Sequence, residues 1–273
     1  MRTKQKEKLL VLMALVMLTG CVSKSPSSSK SEDTKETLAA IIASAGYVET
    51  STPGAILGTY EWHSPILIEN VHATVDNPYV VEGYEISSDT SNGIEVRNCE
   101  NIVIRDNYLH DCIWSADPED YFSSNEGFAI LVGESENILV ESNVLEHNKL
   151  GFAAYHCRNV RLLYNTIKTT IVSSSVRFEQ VAYSEIAHNY LSDNGTPEWF
   201  WAPGYRNIGI FVVRSDHIDV HDNTVIRSTS DGISVGGQID GGGLTTHKSD
   251  WTGTASHISI YNNLVLDNME IGM

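Results

Sequence analysis

One eight-residue pattern constrains this chain more than any other feature. It reads apolar, any, apolar, two of any type, Asn, any, apolar, and it recurs at 102–109, 138–145, 160–167, 184–191, 218–225 and 258–265, with Ser184 in one apolar place. The shared Asn residues are Asn107, Asn143, Asn165, Asn189, Asn223 and Asn263. A degenerate seventh copy runs through Tyr79, Val81, Tyr84 and Ile86, with Tyr84 in the Asn slot. Successive slots lie 23, 36, 22, 24, 34 and 40 residues apart. The short intervals define a unit of 22–24 residues, and the long ones are the same unit carrying an insertion.

A second apolar pair stands 13 and 11 places before five of the six slots: Ile94/Val96, Ile130/Val132, Phe152/Ala154, Val176/Phe178 and Ile210/Val212. Gly or Ser usually precedes it, at Gly93, Gly151, Ser175 and Gly209. Alternation with period two marks short strands that turn one face inward. Each unit therefore holds three short strands. One turn of such strands cannot enclose a core, but stacked turns can, with parallel strands ~4.8 Å apart. The sequence predicts an all-β solenoid. The competing solenoid, a leucine-rich repeat, requires a dense Leu spacing that this chain lacks.

The stacked strands and recurrent Asn resemble the right-handed parallel β-helix of the pectate-lyase-like superfamily, from about Ile56 to the end of the sequence. The resemblance implies that the six Asn stack as an internal ladder in one turn. Copper-associated NosD proteins are similar in repeat style, although no Met–His cluster here supports copper.

Composition agrees with this reading. Nineteen residues are Asn, all after Glu69, and Asn favours turns and the left-handed backbone region. Asn, Gly and Ser also weaken helix interiors, which argues against a helical bundle. Acids outnumber bases by 35 to 18, for a net charge of −17. Such a chain repels a phosphate backbone, so nucleic acid is not an expected partner.

The N-terminus reads as an address. Arg2, Lys4, Lys6 and Lys8 precede an apolar run from Leu9 to Leu18, and Leu18-Thr19-Gly20-Cys21 follows. The run is too short to span a bilayer but suits a signal peptide. The end resembles a prokaryotic lipobox, which implies lipidation of Cys21, export and membrane anchoring. The expected organisation is a signal peptide at 1–20, a Ser- and Lys-rich tether at 21–35 and a β-helix domain at 36–273. Leader removal takes four bases and one acid with it, moving the net charge to −20. Within Ser31–Gly46, Leu38, Ile41, Ile42 and Ala45 fall on one helical face, so an amphipathic helix is expected to cap the first coil. No such cover is evident before Met273, and a partner or further segment is expected over that end. Cys99, Cys112 and Cys157 are an odd set and do not read as a disulfide framework.

Register also assigns faces. In the strand before each Asn unit, the outward places hold Glu95/Arg97, Leu131/Gly133, Ala153/Tyr155, Arg177/Glu179 and Phe211/Val213, with Ser234 extending the row. In related polysaccharide lyases this outer face and its loops form the substrate groove. The resemblance implies Arg177 as a base acting on a uronate, Arg97 as a carboxylate partner, and Tyr155 or Glu179 as assistants. The same residues also read as a solvated face with a surface ion pair of little energetic weight. The insertions at 111–125 and 193–206 both precede this strand and should rise from one side. Trp114, Tyr121, Trp199, Trp201 and Tyr205 in them suit stacking on sugar rings. Asp117, Glu119 and Asp120 suit calcium. All of these also read as residues that pack the loops down. A third insertion, 236–254, leaves after the outward strand from a different turn.

His217 and His257 share one repeat offset and could stack as neighbours in a turn. The other histidines read as scattered turn residues. Asp231-Gly232-Ile233 only partly matches the polygalacturonase repeat, and Asp117-Pro118-Glu119 lacks the His of the related epimerase motif. Three functions remain open from sequence. The first is a surface β-helix protein that binds polysaccharide or another envelope component. The second is a polysaccharide lyase acting by β-elimination, with a glycosidase or epimerase as weaker variants. The third is a NosD-like, metal-related accessory protein.

Overall fold

Polar corners and apolar strands alternate along the described chain. The computed structural model describes residues 59–113, 127–172, 174–195, 207–236 and 255–268, all after Thr52. These residues form three parallel sheets of seven, seven and eight strands, and each sheet takes every third strand in chain order. One coil comprises Leu150–Tyr155 in the first sheet, Arg158–Leu163 in the second and Thr166–Lys168 in the third; the next begins at Ser174. The fold is a right-handed parallel β-helix, as the repeat predicts. There is no helix among the described residues. The expected capping helix at 31–46, the signal peptide, the tether and Cys21 lie outside the described residues.

The inward pairs fill the core as their alternation requires. Ile94, Val96, Ile130, Val132, Phe152, Ala154, Val176, Phe178, Ile210 and Val212 are all inaccessible to solvent. The six Asn residues form one unbroken ladder. Each Nδ2 donates to the Oδ1 of the Asn in the next coil, at 3.0, 3.0, 3.1, 3.0 and 2.9 Å from Asn107 to Asn263. Tyr84, in the degenerate slot, joins through its backbone N–H to Asn107 Oδ1.

The reason for an Asn there differs from the compositional one. None of the ladder Asn is left-handed; the residue before each one is. Asp106, Ser142, Tyr164, His188, Asp222 and Asn262 have φ between 53° and 58°. The same two-residue device makes the other corners. Asn98, Glu134, His156, Gln180 and Arg214 are left-handed before Cys99, Ser135, Cys157, Val181 and Ser215. Asp111, His147, Thr169, Asp193, Arg227 and Asp267 are left-handed before Cys112, Asn148, Thr170, Asn194, Ser228 and Asn268. The left-handed residue swings the chain around the corner. Where the next side chain is Asn or Ser, it turns inward and accepts a backbone N–H from the preceding coil, as in Cys99 N–H to Ser135 Oγ (3.0 Å) and Cys112 N–H to Asn148 Oδ1 (2.9 Å). Buried backbone donors need such partners. They also offset the cost of roughly 1–2 kcal/mol of each non-Gly residue in this region.

Cys99, Cys112 and Cys157 are free and buried. Burial pushes the Cys112 and Cys157 thiols up to about 12, which keeps them protonated.

Gly151 marks a close approach of successive coils. A Cβ there would lie 2.4 Å from the Ser175 carbonyl oxygen and 2.8 Å from Ile167 Cγ2. Gly151→Ala is therefore expected to destabilise by about 2 kcal/mol through overpacking, read as a lower urea midpoint at unchanged slope.

Candidate functional site

Pairing across the first sheet sets the candidate site. Leu67, Glu95, Leu131, Ala153, Arg177, Phe211 and Ser234 form one line. Glu69, Arg97, Gly133, Tyr155, Glu179, Val213 and Gly236 form the line beside it. These are the outward rows expected from the repeat. The insertions attach at the strand ends that the repeat assigns to them. Two lie between a third-sheet strand (Tyr108–Cys112, Tyr190–Ser192) and the following first-sheet strand (Phe128–Gly133, Ile208–Val213), while the third follows Ile233–Gly236. Trp114, Asp117, Glu119, Asp120, Tyr121, Trp199, Trp201 and Tyr205 lie outside the described residues.

Outward does not mean solvated on this face, which corrects the expectation of a solvent-facing row. Phe128, Leu131, Leu150 and Ala153 form a second, smaller apolar cluster with Tyr155 packed against it. The Phe128 and Tyr155 rings meet edge to face at 6.5 Å. Next to this cluster, the side chains of Arg177 and Glu179 are only 7% and 5% exposed. Arg177 donates from Nε and Nη2 to Glu179 Oε2 at 3.0 and 2.6 Å. Arg214, one coil on, bonds Glu179 Oε1 through Nη2. The Arg177 guanidinium lies 5.9 Å from the Tyr155 ring centroid and 5.5 Å from that of Phe211.

Tyr155, Arg177, Glu179 and Arg214 therefore converge on one point of the face. Arg97 does not join them. It lies three coils from Glu179 in its row, is 55% exposed, and pairs with Glu95. A surface pair of that kind contributes little. The other arginines near this face are paired one to one, Arg97 with Glu95 and Arg158 with Glu136, whereas Arg177 and Arg214 share Glu179. The shared carboxylate leaves that group one positive charge in excess. Sequence places Arg214 just beyond the strand, but its pairing with Glu179 spans an insertion and carries no local signal.

Arg177, the expected base, is a buried cation paired with Glu179. Burial would lower its pKa, but the Tyr155 phenol and the Glu179 carboxylate together hold it above the ordinary arginine value. Arg177 is a fixed cation. Burial pushes the Tyr155 phenol up to about 12, with Arg177 opposing and Glu179 adding. Among the described residues, the Tyr155 hydroxyl and Arg214 Nε are buried polar atoms with no hydrogen-bond partner.

Because the folded Tyr155 pKa lies above the value near 10 for an exposed phenol, its stabilising contribution is intact below about pH 10 and lost by about 12. The two-unit difference corresponds to about 3 kcal/mol. Urea midpoints of the wild type should fall more steeply across that window than those of Tyr155→Phe, and parallel curves would contradict this assignment.

Six of the described histidines, His147, His156, His188, His217, His221 and His257, lie at corners or on the second sheet. His217 and His257 do stack, with ring centroids 4.4 Å apart, and Asp216 bonds the Nδ1 of each at 2.7 and 2.8 Å. His188, His221 and Asp222 meet at the corner between the second and third sheets.

Three stacked parallel sheets with hydrogen-bonded ladders at the corners define a right-handed parallel β-helix protein. A family model described as "Right handed beta helix region" matches residues 63–195. No curated protein matches the chain significantly. Among solved structures, a double mutant of the periplasmic alginate epimerase AlgG is similar, with 14% identity and a TM-score of 0.53 over 74% of this chain and 48% of that one. The mannuronan C-5 epimerase AlgE6 A-module of Azotobacter vinelandii aligns at 12% identity and a TM-score of 0.35, over 77% of this chain and 56% of that one. The chain spans about half the length of these structures, and at such identities the likeness is one of fold.

Proposed function

We propose that this protein is an exported β-helix that binds an anionic polysaccharide through the outer face of its first sheet. One observation carries the reading: Arg177 and Arg214 converge on the single carboxylate of Glu179 beside the unpartnered Tyr155 hydroxyl. An excess cation with an unused donor suits the carboxylate and hydroxyls of a uronate. Arg214, whose side chain is 28% exposed, is the group open to a ligand. The AlgG structure, named as an alginate epimerase, makes a uronate polymer the first to test. The negative charge of the whole chain is screened beyond about 10 Å at moderate salt, so the local cation governs close contact. Calcium held by Asp117, Glu119 and Asp120 would add a bridge to the polymer.

Calorimetry with alginate, polygalacturonate and a neutral glucan, with and without calcium, tests this. Binding confined to the uronate polymers and weakened at least tenfold in Arg214→Ala supports the reading. Equal binding of the neutral glucan, or an unchanged Arg214→Ala, sinks it. Turnover is the second reading, favoured by the free Tyr155 hydroxyl beside a fixed cation. There Arg177 would neutralise the substrate carboxylate instead of taking the proton, and unsaturated uronate absorbance would appear and vanish in Tyr155→Phe. The lipid anchor is tested separately. Cys21→Ala should move the protein from the membrane fraction to the soluble exported fraction.

A further inference from the structure

We propose that His188, His221 and Asp222 form a binding site for a divalent transition-metal ion of the Zn2+ or Cu2+ type. Each offers one ligand atom, and these atoms lie within 4.8 Å of one another. His188 and Asp222 are 34 residues apart but occupy the same corner slot on successive coils, just before the ladder residues Asn189 and Asn223. Both are left-handed, with φ of 58° and 53°, so their side chains leave the corner together. The His188 backbone N–H donates to the His221 carbonyl at 3.3 Å, which fixes the two coils in register.

The donor set and its surroundings suit a metal. Two imidazoles and a carboxylate match the preferences of zinc and copper, with water completing the coordination. The His188 and His221 rings stand at 85° with centroids 5.7 Å apart. Perpendicular rings can aim in-plane lone pairs at one point. His221 Nδ1 faces Asp222 Oδ2 at 2.8 Å, the contact an ion would replace. Its Nε2 faces Glu185 Oε1 at 3.0 Å, and Glu185 is held in turn by Arg161 Nε at 2.9 Å. A carboxylate on the far nitrogen is the usual support of a metal-bound histidine. Stacking fixes both rings: Tyr164 lies parallel to His188 at 4.7 Å, and Tyr261 to His221 at 4.8 Å. The neighbouring cluster of Asp216, His217 and His257 lacks this geometry. Its imidazoles lie 21° from parallel, so their in-plane lone pairs do not converge as those of His188 and His221 do.

Equilibrium dialysis of the chelator-treated protein against Zn2+, and electron paramagnetic resonance of the Cu2+-loaded protein, test this site. His188→Asn and Asp222→Asn preserve a residue type that tolerates the left-handed corner. The expected result is one saturable equivalent, weakened at least tenfold in each variant and roughly ten- to a hundredfold in Glu185→Gln. Copper coupled to two imidazole nitrogens in the wild type should couple to one in His188→Asn. Asp216→Asn should bind as the wild type does. The proposal is overturned if neither ion binds saturably. Wild-type affinity in His188→Asn and Asp222→Asn variants that melt normally overturns it, as does loss of the ion in Asp216→Asn.

Discussion

Asn165→Ala is expected to destabilise the protein by about 4 kcal/mol. The Asn165 side chain is 1% exposed and hydrogen-bonded at both of its polar atoms. Its Nδ2 donates to the carbonyls of Val140 and Leu163, both at 3.0 Å, and to Asn189 Oδ1 at 3.1 Å. Its Oδ1 accepts the Asn143 backbone N–H and the Asn143 side-chain amide, both at 3.0 Å. Truncation orphans the buried Asn143 backbone N–H, at a cost of about 1–3 kcal/mol, and takes one partner each from the Asn143 amide, the Val140 and Leu163 carbonyls and Asn189 Oδ1. Asn263, at the last described slot, is partly buried, and its amide serves Val220 and Tyr261. Asn263→Ala should cost about 1 kcal/mol. Urea denaturation of both variants provides the comparison. Equal losses would show that the ladder acts through turn propensity and not through buried hydrogen bonds.

Glu179→Gln is expected to cost about 3–5 kcal/mol, because it leaves two guanidinium groups facing each other without a counter-charge. Arg177 has no easy escape. Its side chain is 7% exposed, and it is wedged between the Tyr155 and Phe211 rings. The pair need not be strongly favourable in itself for its disruption to be severe, since desolvation of Arg177 remains after the carboxylate is lost. Arg97→Ala, which breaks an exposed pair in the same row, should change stability by less than about 1 kcal/mol. Thermal melts at low and high salt separate the two cases. Salt should leave the Glu179→Gln loss nearly intact, because buried charges are poorly screened. A loss that disappears in salt would place the cluster at the surface.

The repeat makes the fold legible, and particular residues show why. Alternation places Ile94/Val96 and their equivalents inward, and the Asn slots give the ladder partners in order. These are periodic features, and a solenoid turns period directly into position. The four-membered cluster at Glu179 is only half legible. Register puts Tyr155, Arg177 and Glu179 on the outward face, but it implies a solvated row. The reason is that alternation reports which face of a strand a side chain leaves from, not what else packs on that face. The left-handed corners escape sequence reasoning in a similar way. Asn is the residue type most associated with positive φ outside Gly, yet here Tyr164, His188 and Asp222 adopt it while the Asn behind them makes hydrogen bonds.

By itself, then, the sequence determined the coil length, the inward and outward rows, the strand order and the attachment points of the insertions. Each follows from a local pattern repeated at a fixed interval. The tertiary structure alone decided which outward charges are buried, that Arg214 shares Glu179 with Arg177, and that His188 meets His221 and Asp222 across 34 residues. Those pairings depend on which coils become neighbours once an insertion interrupts the count. They depend also on desolvation, which belongs to the packed molecule and not to any segment of it.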